Sequence, residues 1–121
     1  MNIRDFINLV GTQNKEIGWH SDPITGLPIE LSDGRWAQLI NLVHGEVSEA
    51  VEGRRKNLMD DHLPHRKMEE VELADAFIRI CDIAFLYGYD LMGAAEEKLA
   101  YNKSRKDHKL ENRLLEGGKK F

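Results

Sequence analysis

The chain has 121 residues, the size of one ordinary domain, and its apolar residues suffice for a single hydrophobic core. Acidic residues outnumber basic residues by 21 to 17, which gives a formal net charge of −4 and a pI near 5.7. A protein that binds nucleic acid through phosphate contacts normally has a basic face and a high pI, so this composition argues against a general nucleic-acid binder. If the protein binds a polyanionic ligand, a metal ion must help to bind it.

The cellular compartment is indicated by three negative features. Cys81 is the single cysteine, so no intramolecular disulfide can form, which fits a reducing environment. The first residues lack the pattern of a secretory signal. The longest apolar segment, residues 74–89, contains three charged residues and is too short to cross a bilayer. We therefore expect a cytoplasmic protein with no membrane partner.

The first predicted helix covers residues 2–15, with Phe6, Leu9 and Val10 on one side, and ends near Gly18. Residues 19–34 contain two prolines and two glycines without a helical period, which predicts a long loop. Loops of this length in a compact domain often serve as functional lids.

The second helix is expected to begin after Ser32 or Asp33, either of which can cap it, and to continue to about residue 56. Its apolar stripe includes Trp36, which we expect in the core. No segment of the chain shows the period-two alternation of a β-strand, so the expected fold class is all-α.

A polar connection, residues 57–66, leads into a third predicted helix over residues 67–87, which Gly88 closes as a C-cap. Asp90 is placed to cap a fourth helix over residues 91–106. The remaining residues are polar. The expected organisation is therefore one domain, residues 1–106, followed by a flexible tail, residues 107–121.

Two pairs of acidic residues with i, i+3 spacing stand on consecutive predicted helices. Glu46 and Glu49 lie at the edge of the apolar stripe of the second helix, and Glu72 and Asp75 lie on a charged strip of a mostly apolar third helix. If these helices pack antiparallel, as their ten-residue connection permits, the four carboxylates come together. Their repulsion then calls for a hard divalent cation, Mg²⁺ with Mn²⁺ as a possible substitute.

The residues alone leave other interpretations open. No histidine stands in the Glu-x-x-His spacing of di-iron bundles, which argues against that class and against zinc. Helical Glu-x-x-Glu pairs are common on protein surfaces, however, so a structural helical assembly with acidic strips is an alternative. Arg79 and Asp82 continue the charged strip of the third helix, either as an ion pair with each other or as substrate contacts.

Three segments together resemble the MazG-like superfamily of all-α nucleoside triphosphate pyrophosphatases. The family pattern Glu-x-x-Glu followed by Glu-x-x-Asp is matched by residues 46–49 and 72–75. Its pattern Lys-x-x-x-Asn-x-x-Arg, near the end of the domain, is matched by Lys98, Asn102 and Arg105. The resemblance covers roughly residues 2–105.

The resemblance implies a four-helix domain in which Glu46, Glu49, Glu72 and Asp75 bind magnesium. The expected reaction is hydrolysis of (deoxy)nucleoside triphosphates to a nucleoside monophosphate and pyrophosphate, with Glu49 orienting the attacking water. This agrees with the needs of phosphoryl transfer, which depends on positioning and charge neutralisation. A homodimer or homotetramer is expected, because four helices can hardly cover the broad apolar circumference of the third.

By the same resemblance, two groups of residues contact the substrate. Phosphate and sugar contacts are expected on one face of the fourth helix, from Lys98, Asn102 and Arg105. Nucleobase contacts are expected at the end of the first helix, from Asn14, Trp19 and His20. Without the motifs, a solvated helix face and a tryptophan that anchors a lid would account for the same residues.

Two further alternatives stay open within this resemblance. A phosphoribosyl-ATP pyrophosphatase or a dUTPase-like enzyme would share the acids and differ around the nucleoside. A non-catalytic regulatory protein of the same fold would bind the nucleotide and metal without turning the nucleotide over.

Overall fold

The computed structural model describes all residues, 1–121, and is entirely helical, with no β-strand. The expected all-α fold class is therefore confirmed. The helices in chain order are α1 (Ile3–Glu16), α2 (Asp33–Lys56), α3 (Met68–Tyr87), α4 (Leu91–Ser104) and α5 (Leu110–Arg113), with a 3₁₀ turn at Lys106–His108 before α5. No helix combines the length and the apolar character needed to span a membrane.

The helix ends follow from short-range side-chain chemistry. Asn2, Ser32 and Asp90 each accept a hydrogen bond from the backbone N–H three residues later, at 2.8, 3.1 and 3.0 Å. These bonds satisfy N–H groups that have no partner inside the helix. Gly88 ends α3 in the left-handed conformation, with φ of 69°, which glycine adopts at little cost. Of the two caps considered for α2, Ser32 is the one used.

The chain divides into two compact units, residues 1–89 and residues 90–121. The first unit holds α1, α2 and α3. The second holds α4 together with the tail, whereas the sequence suggested a boundary after residue 106. In this unit Asp107 accepts ion pairs from Arg105 and Lys119 at 2.7 and 2.8 Å, and these cations hold the pKa of Asp107 well below its usual range. Flexibility of the tail stays a prediction.

Helices α2 and α3 pack antiparallel in the first unit. At one end the Tyr87 hydroxyl donates to the Ser32 carbonyl at 3.2 Å, and at the other Arg54 pairs with Glu69 at 3.4 Å. These pairs run in opposite order along the two helices. The charged strip of α3 therefore faces the acidic edge of α2.

The core of the first unit forms where α1 and α2 cover α3. Its buried apolar residues are Ile7 and Val10 of α1, Leu39 and Ala50 of α2, and Ala76, Cys81, Ile83 and Ala84 of α3. The expectation that Trp36 lies in the core was wrong. Trp36 is 38% exposed and donates from Nε1 to the Tyr89 hydroxyl at 3.0 Å. Leu9, on the apolar side of α1, is 48% exposed, because the face of α1 that meets α3 is centred on Ile7 and Val10.

The loop between α1 and α2 is held by local bonds. Ser21 and Pro28 form an isolated antiparallel bridge, and the Asp22 carboxylate accepts from the N–H groups of Ile24 and Thr25 at 2.8 and 3.0 Å. These two bonds lower the pKa of Asp22. The loop is thus a turn with defined geometry, and its role as a lid stays a prediction.

Gly11 sets the approach of α1 to α3, because a methyl group added there would overlap the ring of Phe85. We expect Gly11→Ala to lower the free energy of unfolding by about 1–3 kcal/mol, the usual cost of overpacking. Gly45 in α2 has open space around it, so Gly45→Ala should raise stability by up to about 1 kcal/mol through helix propensity. Urea unfolding of both variants tests this. Equal effects in the two variants would contradict the close packing of α1 on α3.

Candidate metal centre

Three of the four predicted acids meet between α2 and α3. Glu72 and Asp75 project from successive turns of α3, and Glu46 reaches them from α2, so that one carboxylate oxygen of each lies within 4.8 Å of the others. The i, i+3 spacing places the α3 pair on one face. The antiparallel packing then brings Glu46 to the same level. The predicted convergence of these three residues is therefore seen in the structure.

Glu72 is the most constrained of the three. Only 9% of the residue is exposed, and its buried Oε2 atom has no hydrogen-bond partner. A buried carboxylate oxygen without a partner is costly in a folded protein. Burial raises the pKa of Glu72 to about 8, with further contributions from the neighbouring Glu46 and Glu49 carboxyl groups. The site therefore disfavours the negative charge that these residues ordinarily carry.

Asp75 is perturbed in the same direction. Burial is the main cause that raises its pKa, and the negative charge of Glu46 adds to the effect, while the nearby Arg79 guanidinium opposes it. Arg79 donates from Nε to Glu46 Oε1 at 2.9 Å. One guanidinium therefore compensates part of the acidic charge, and the rest is left unbalanced.

Glu49 is the fourth predicted acid and lies outside the group of three. Its side chain is exposed, yet it is close enough to Glu72 to raise the pKa of that residue. Glu49 thus lies at the solvent edge of the cluster. Its roles as a ligand and as the residue that orients water stay predictions.

The chemistry of this donor set fits a hard divalent cation. All three converging groups are carboxylates, with no histidine or cysteine among them. Oxygen-only sets of this kind suit Mg²⁺ or Mn²⁺. A divalent cation would also give the free Oε2 of Glu72 a partner and offset the repulsion that adds to the effect of burial on the pKa values of Glu72 and Asp75.

Asp60 is an acidic neighbour that the sequence analysis missed. It is buried in the connection between α2 and α3, where its Oδ2 accepts from the N–H groups of His62 and Leu63 at 2.9 and 2.8 Å. Its charge contributes to the raised pKa of Asp75. An aspartate that forms such a turn is recognisable in a sequence. Its proximity to α3 is not, because that depends on how the connection folds back.

A cavity of about 510 Å³ extends from the carboxylates along the groove between α2 and α3. Glu46 and Asp75 line the cavity. Asn14, near the end of α1, and Trp19, in the loop that follows α1, line it as well. Two of the three predicted nucleobase contacts therefore share a cavity with two of the predicted metal ligands. The remaining lining residues are Arg35, Leu39, Leu42, Ile78, Arg79 and Asp82.

His20, the third predicted nucleobase contact, does not line this cavity. It is mostly buried, stacks on Phe85 with ring centroids 6.1 Å apart, and places Nε2 at 2.9 Å from Asp82 Oδ1. Asp82, which does line the cavity, stands between His20 and the open space. The ion pair considered between Arg79 and Asp82 does not form, because Arg79 pairs with Glu46 and Asp82 with His20.

The predicted phosphate contacts lie in the second unit, where Lys98 and Arg105 have partners. Lys98 Nζ is 4.8 Å from the centre of the Tyr101 ring. Arg105 forms a bidentate pair with Asp107, and the Oδ1 atom of Asn102 is buried without a partner. Their contact with substrate stays a prediction.

Comparison of this chain with protein-family models, with curated proteins and with solved structures finds no match. The resemblance to MazG-like enzymes therefore depends on the motifs, and the case for function depends on the geometry just described.

The raised pKa of Glu72 predicts how stability varies with pH in the absence of metal. Its ordinary value is 4.5 and its value in the folded protein is about 8, so folding favours the protonated form. The free energy of unfolding contributed by Glu72 should be fully present below pH 4.5 and lost as the pH rises to about 8. Glu72→Gln should therefore be more stable than wild type at pH 8, by a few kcal/mol at about 1.4 kcal/mol per pKa unit.

Thermal unfolding in EDTA across this pH range measures the difference between the two proteins. Glu69→Gln, on the same helix, is the matched control, since Glu69 pairs with Arg54 at the surface. A gap between wild type and Glu72→Gln that does not widen with rising pH would contradict the proposed burial of this carboxyl.

Proposed function

We propose that this protein is a magnesium-dependent nucleoside triphosphate pyrophosphohydrolase of the MazG-like type. It would convert a (deoxy)nucleoside triphosphate to a nucleoside monophosphate and pyrophosphate in the cytoplasm. The observation that carries the proposal is the convergence of Glu46, Glu72 and Asp75 at one end of a cavity of about 510 Å³. Pockets for small molecules usually fall between about 300 and 1,000 Å³.

The residues of the cluster have distinct roles in this mechanism. Glu46, Glu72 and Asp75 would hold the magnesium ion, which supplies charge neutralisation for the phosphate chain when bound. Glu49, at the solvent edge, orients the attacking water and accepts its proton. Arg79 is anchored through Nε to Glu46, which leaves its two terminal nitrogens to contact a phosphate oxygen.

The remaining substrate contacts follow from the motifs and from the cavity. Asn14 and Trp19 line the cavity and contact the nucleoside. Lys98, Asn102 and Arg105 bind phosphate oxygens, a role supported by the Lys-x-x-x-Asn-x-x-Arg pattern alone.

The proposal is tested by pyrophosphate release from a panel of ribo- and deoxyribonucleoside triphosphates, with magnesium or EDTA. Wild type should release pyrophosphate with magnesium, and Glu49→Gln should lower kcat by about 10²–10⁴-fold, the usual effect of losing a general base. Glu52→Gln is the matched control. Glu52 lies one turn further along α2 and pairs with Lys56 and Arg55. The activity of Glu52→Gln should therefore equal that of wild type.

Magnesium binding gives a readout that does not depend on turnover. At 100 times its dissociation constant, magnesium should stabilise the protein by about 2.7 kcal/mol, or roughly 10 °C in melting temperature. Stabilisation without pyrophosphate release from any nucleotide would favour a regulatory binding protein. An unchanged melting temperature would favour a structural helical assembly. Release from phosphoribosyl-ATP or dUTP alone would assign the protein to those relatives.

We also propose that the protein forms a homodimer or homotetramer. Apolar side chains of α2 and α3 remain exposed, including Val51 and Leu73, each 56% exposed. A second subunit would remove this surface from water.

Sedimentation at micromolar concentration should therefore give a dimer or tetramer mass. Leu73→Lys should be more monomeric than wild type at the same concentration, because a charge replaces an apolar contact. Ile24→Lys is the control, since Ile24 is exposed at the tip of a loop outside the helices. A monomeric wild type would overturn this part of the proposal.

A further inference from the structure

The cavity has two ends of different chemistry. Glu46 and Asp75 form the acidic end. Because α2 and α3 are antiparallel and rise about 1.5 Å per residue, Leu39 and Asp82 both lie about 10 Å from that end. Arg35 follows one helical turn further along α2. This separation is comparable to the length of a nucleoside from its 5′ phosphate to the edge of its base, so a nucleotide held at the acidic end presents its base to Asp82 and Arg35.

Asp82 offers a fixed hydrogen-bond acceptor to that base. The residue is 9% exposed, lines the cavity, and has Oδ1 at 2.9 Å from His20 Nε2. Its other oxygen, Oδ2, has no partner within the protein. Since an ionised carboxylate only accepts hydrogen bonds, the free oxygen fits an N–H group of a ligand. His20 holds the carboxylate in place from behind the cavity wall.

Arg35 offers the complementary donors. Its side chain lines the cavity and is half-buried, and it makes no hydrogen bond or ion pair within the protein. A guanidinium group carries only donors, in a planar fork that suits two neighbouring acceptors. The base end of the cavity therefore combines one acceptor group with one forked donor.

We infer that Asp82 and Arg35 select guanine, so that the preferred substrate is a guanine nucleoside triphosphate. Guanine presents two adjacent donors, N1–H and the N2 amino group, which match the carboxylate of Asp82. Next to them it presents two adjacent acceptors, O6 and N7, which match the fork of Arg35. This inference rests on the proposed function for the placement of the phosphates.

The other bases fit this pair less well. Adenine in the same position would bring its N6 amino group, a donor, toward Arg35 and its N1 acceptor toward Asp82. Both contacts would be repulsive. Uracil, thymine and cytosine offer fewer matching groups on a smaller ring. Leu39, Leu42 and Ile78 on the cavity walls can pack against the faces of a base. Trp19 is 67% exposed and so has a free ring surface on which a base can stack.

The test measures binding of GMP, AMP, CMP and UMP to the full chain by isothermal titration calorimetry with magnesium present. No turnover can occur, since a nucleoside monophosphate has no phosphoanhydride bond to cleave. GMP should bind at least about tenfold more tightly than the others, the scale of discrimination by a paired base contact. Asp82→Asn and Arg35→Gln should each reduce this preference at least about threefold. Arg55→Gln, at the surface of α2 and paired with Glu52, should keep it.

The outcomes separate this inference from the proposed function. Preferential binding of GMP supports the inference even if no nucleotide releases pyrophosphate, a result that would overturn only the hydrolase. Pyrophosphate release at equal kcat/KM from all four bases overturns the inference and leaves the hydrolase standing. Equal affinity for the four monophosphates, no binding of any, or an unchanged preference in Arg35→Gln also overturns it. Arg35→Gln decides the question if Asp82→Asn fails to fold, since Arg35 has no partner to lose.

Discussion

The burial of the Glu72 carboxylate among other acids is the constraint on which the rest of the first unit depends. A group whose charged form is disfavoured by its surroundings stays in place only when packing elsewhere holds it there. The apolar residues of α3, with Cys81 fully buried, supply that packing by fixing the helix against α1 and α2. The same contacts that stabilise the core therefore force Glu72, Asp75 and Glu46 toward one another. Stability is reduced at this point of the fold, and the proposed metal-binding function would explain why the arrangement is kept.

The charged strip of α3 changes its partners along its length, and this sets the character of the cavity. Glu72 and Asp75 face acids, Arg79 bonds to Glu46, and Asp82 bonds to His20. Excess negative charge is thus confined to one end, and the middle and the far end carry cations and a paired carboxylate. With a divalent cation at the acidic end, a nucleoside triphosphate would have the matching polarity, since its phosphates would lie beside the cation and its base is nearly neutral. Under the two proposals, one helix face would both hold a metal and contact a base, because residues three or four apart share that face.

Features written in short stretches of sequence were predictable. The caps at Ser32 and Asp90, the left-handed Gly88 and the acidic pairs depend on residues within one or two helical turns. Features that depend on how helices rotate against each other were not: Leu9 and Trp36 are exposed although both fit an apolar pattern. The separate partners of Arg79 and Asp82, and the position of Asp60 beside Asp75, likewise require the tertiary fold. The amphipathic pattern locates the buried side of a helix only to within about one residue position, and a rotation of that size replaces Leu9 by Ile7 at the buried face of α1.

The two ends of the cavity are expected to differ in how far they restrict the substrate. Under the proposed function, magnesium and the carboxylates would bind the phosphate chain, which every nucleoside triphosphate shares, so the acidic end could not distinguish one base from another. Discrimination would have to come from Asp82, about 10 Å or two helical turns away along α3, and from Arg35, which lies one turn further along α2. His20 is important for this reason. By bonding to one oxygen of Asp82 it prevents the carboxylate from turning, and a mobile carboxylate could accept from the amino group of adenine or cytosine in a shifted pose. Selectivity would then depend on a residue that does not touch the ligand, held by its stacking on Phe85 in the core that also fixes Glu46, Glu72 and Asp75.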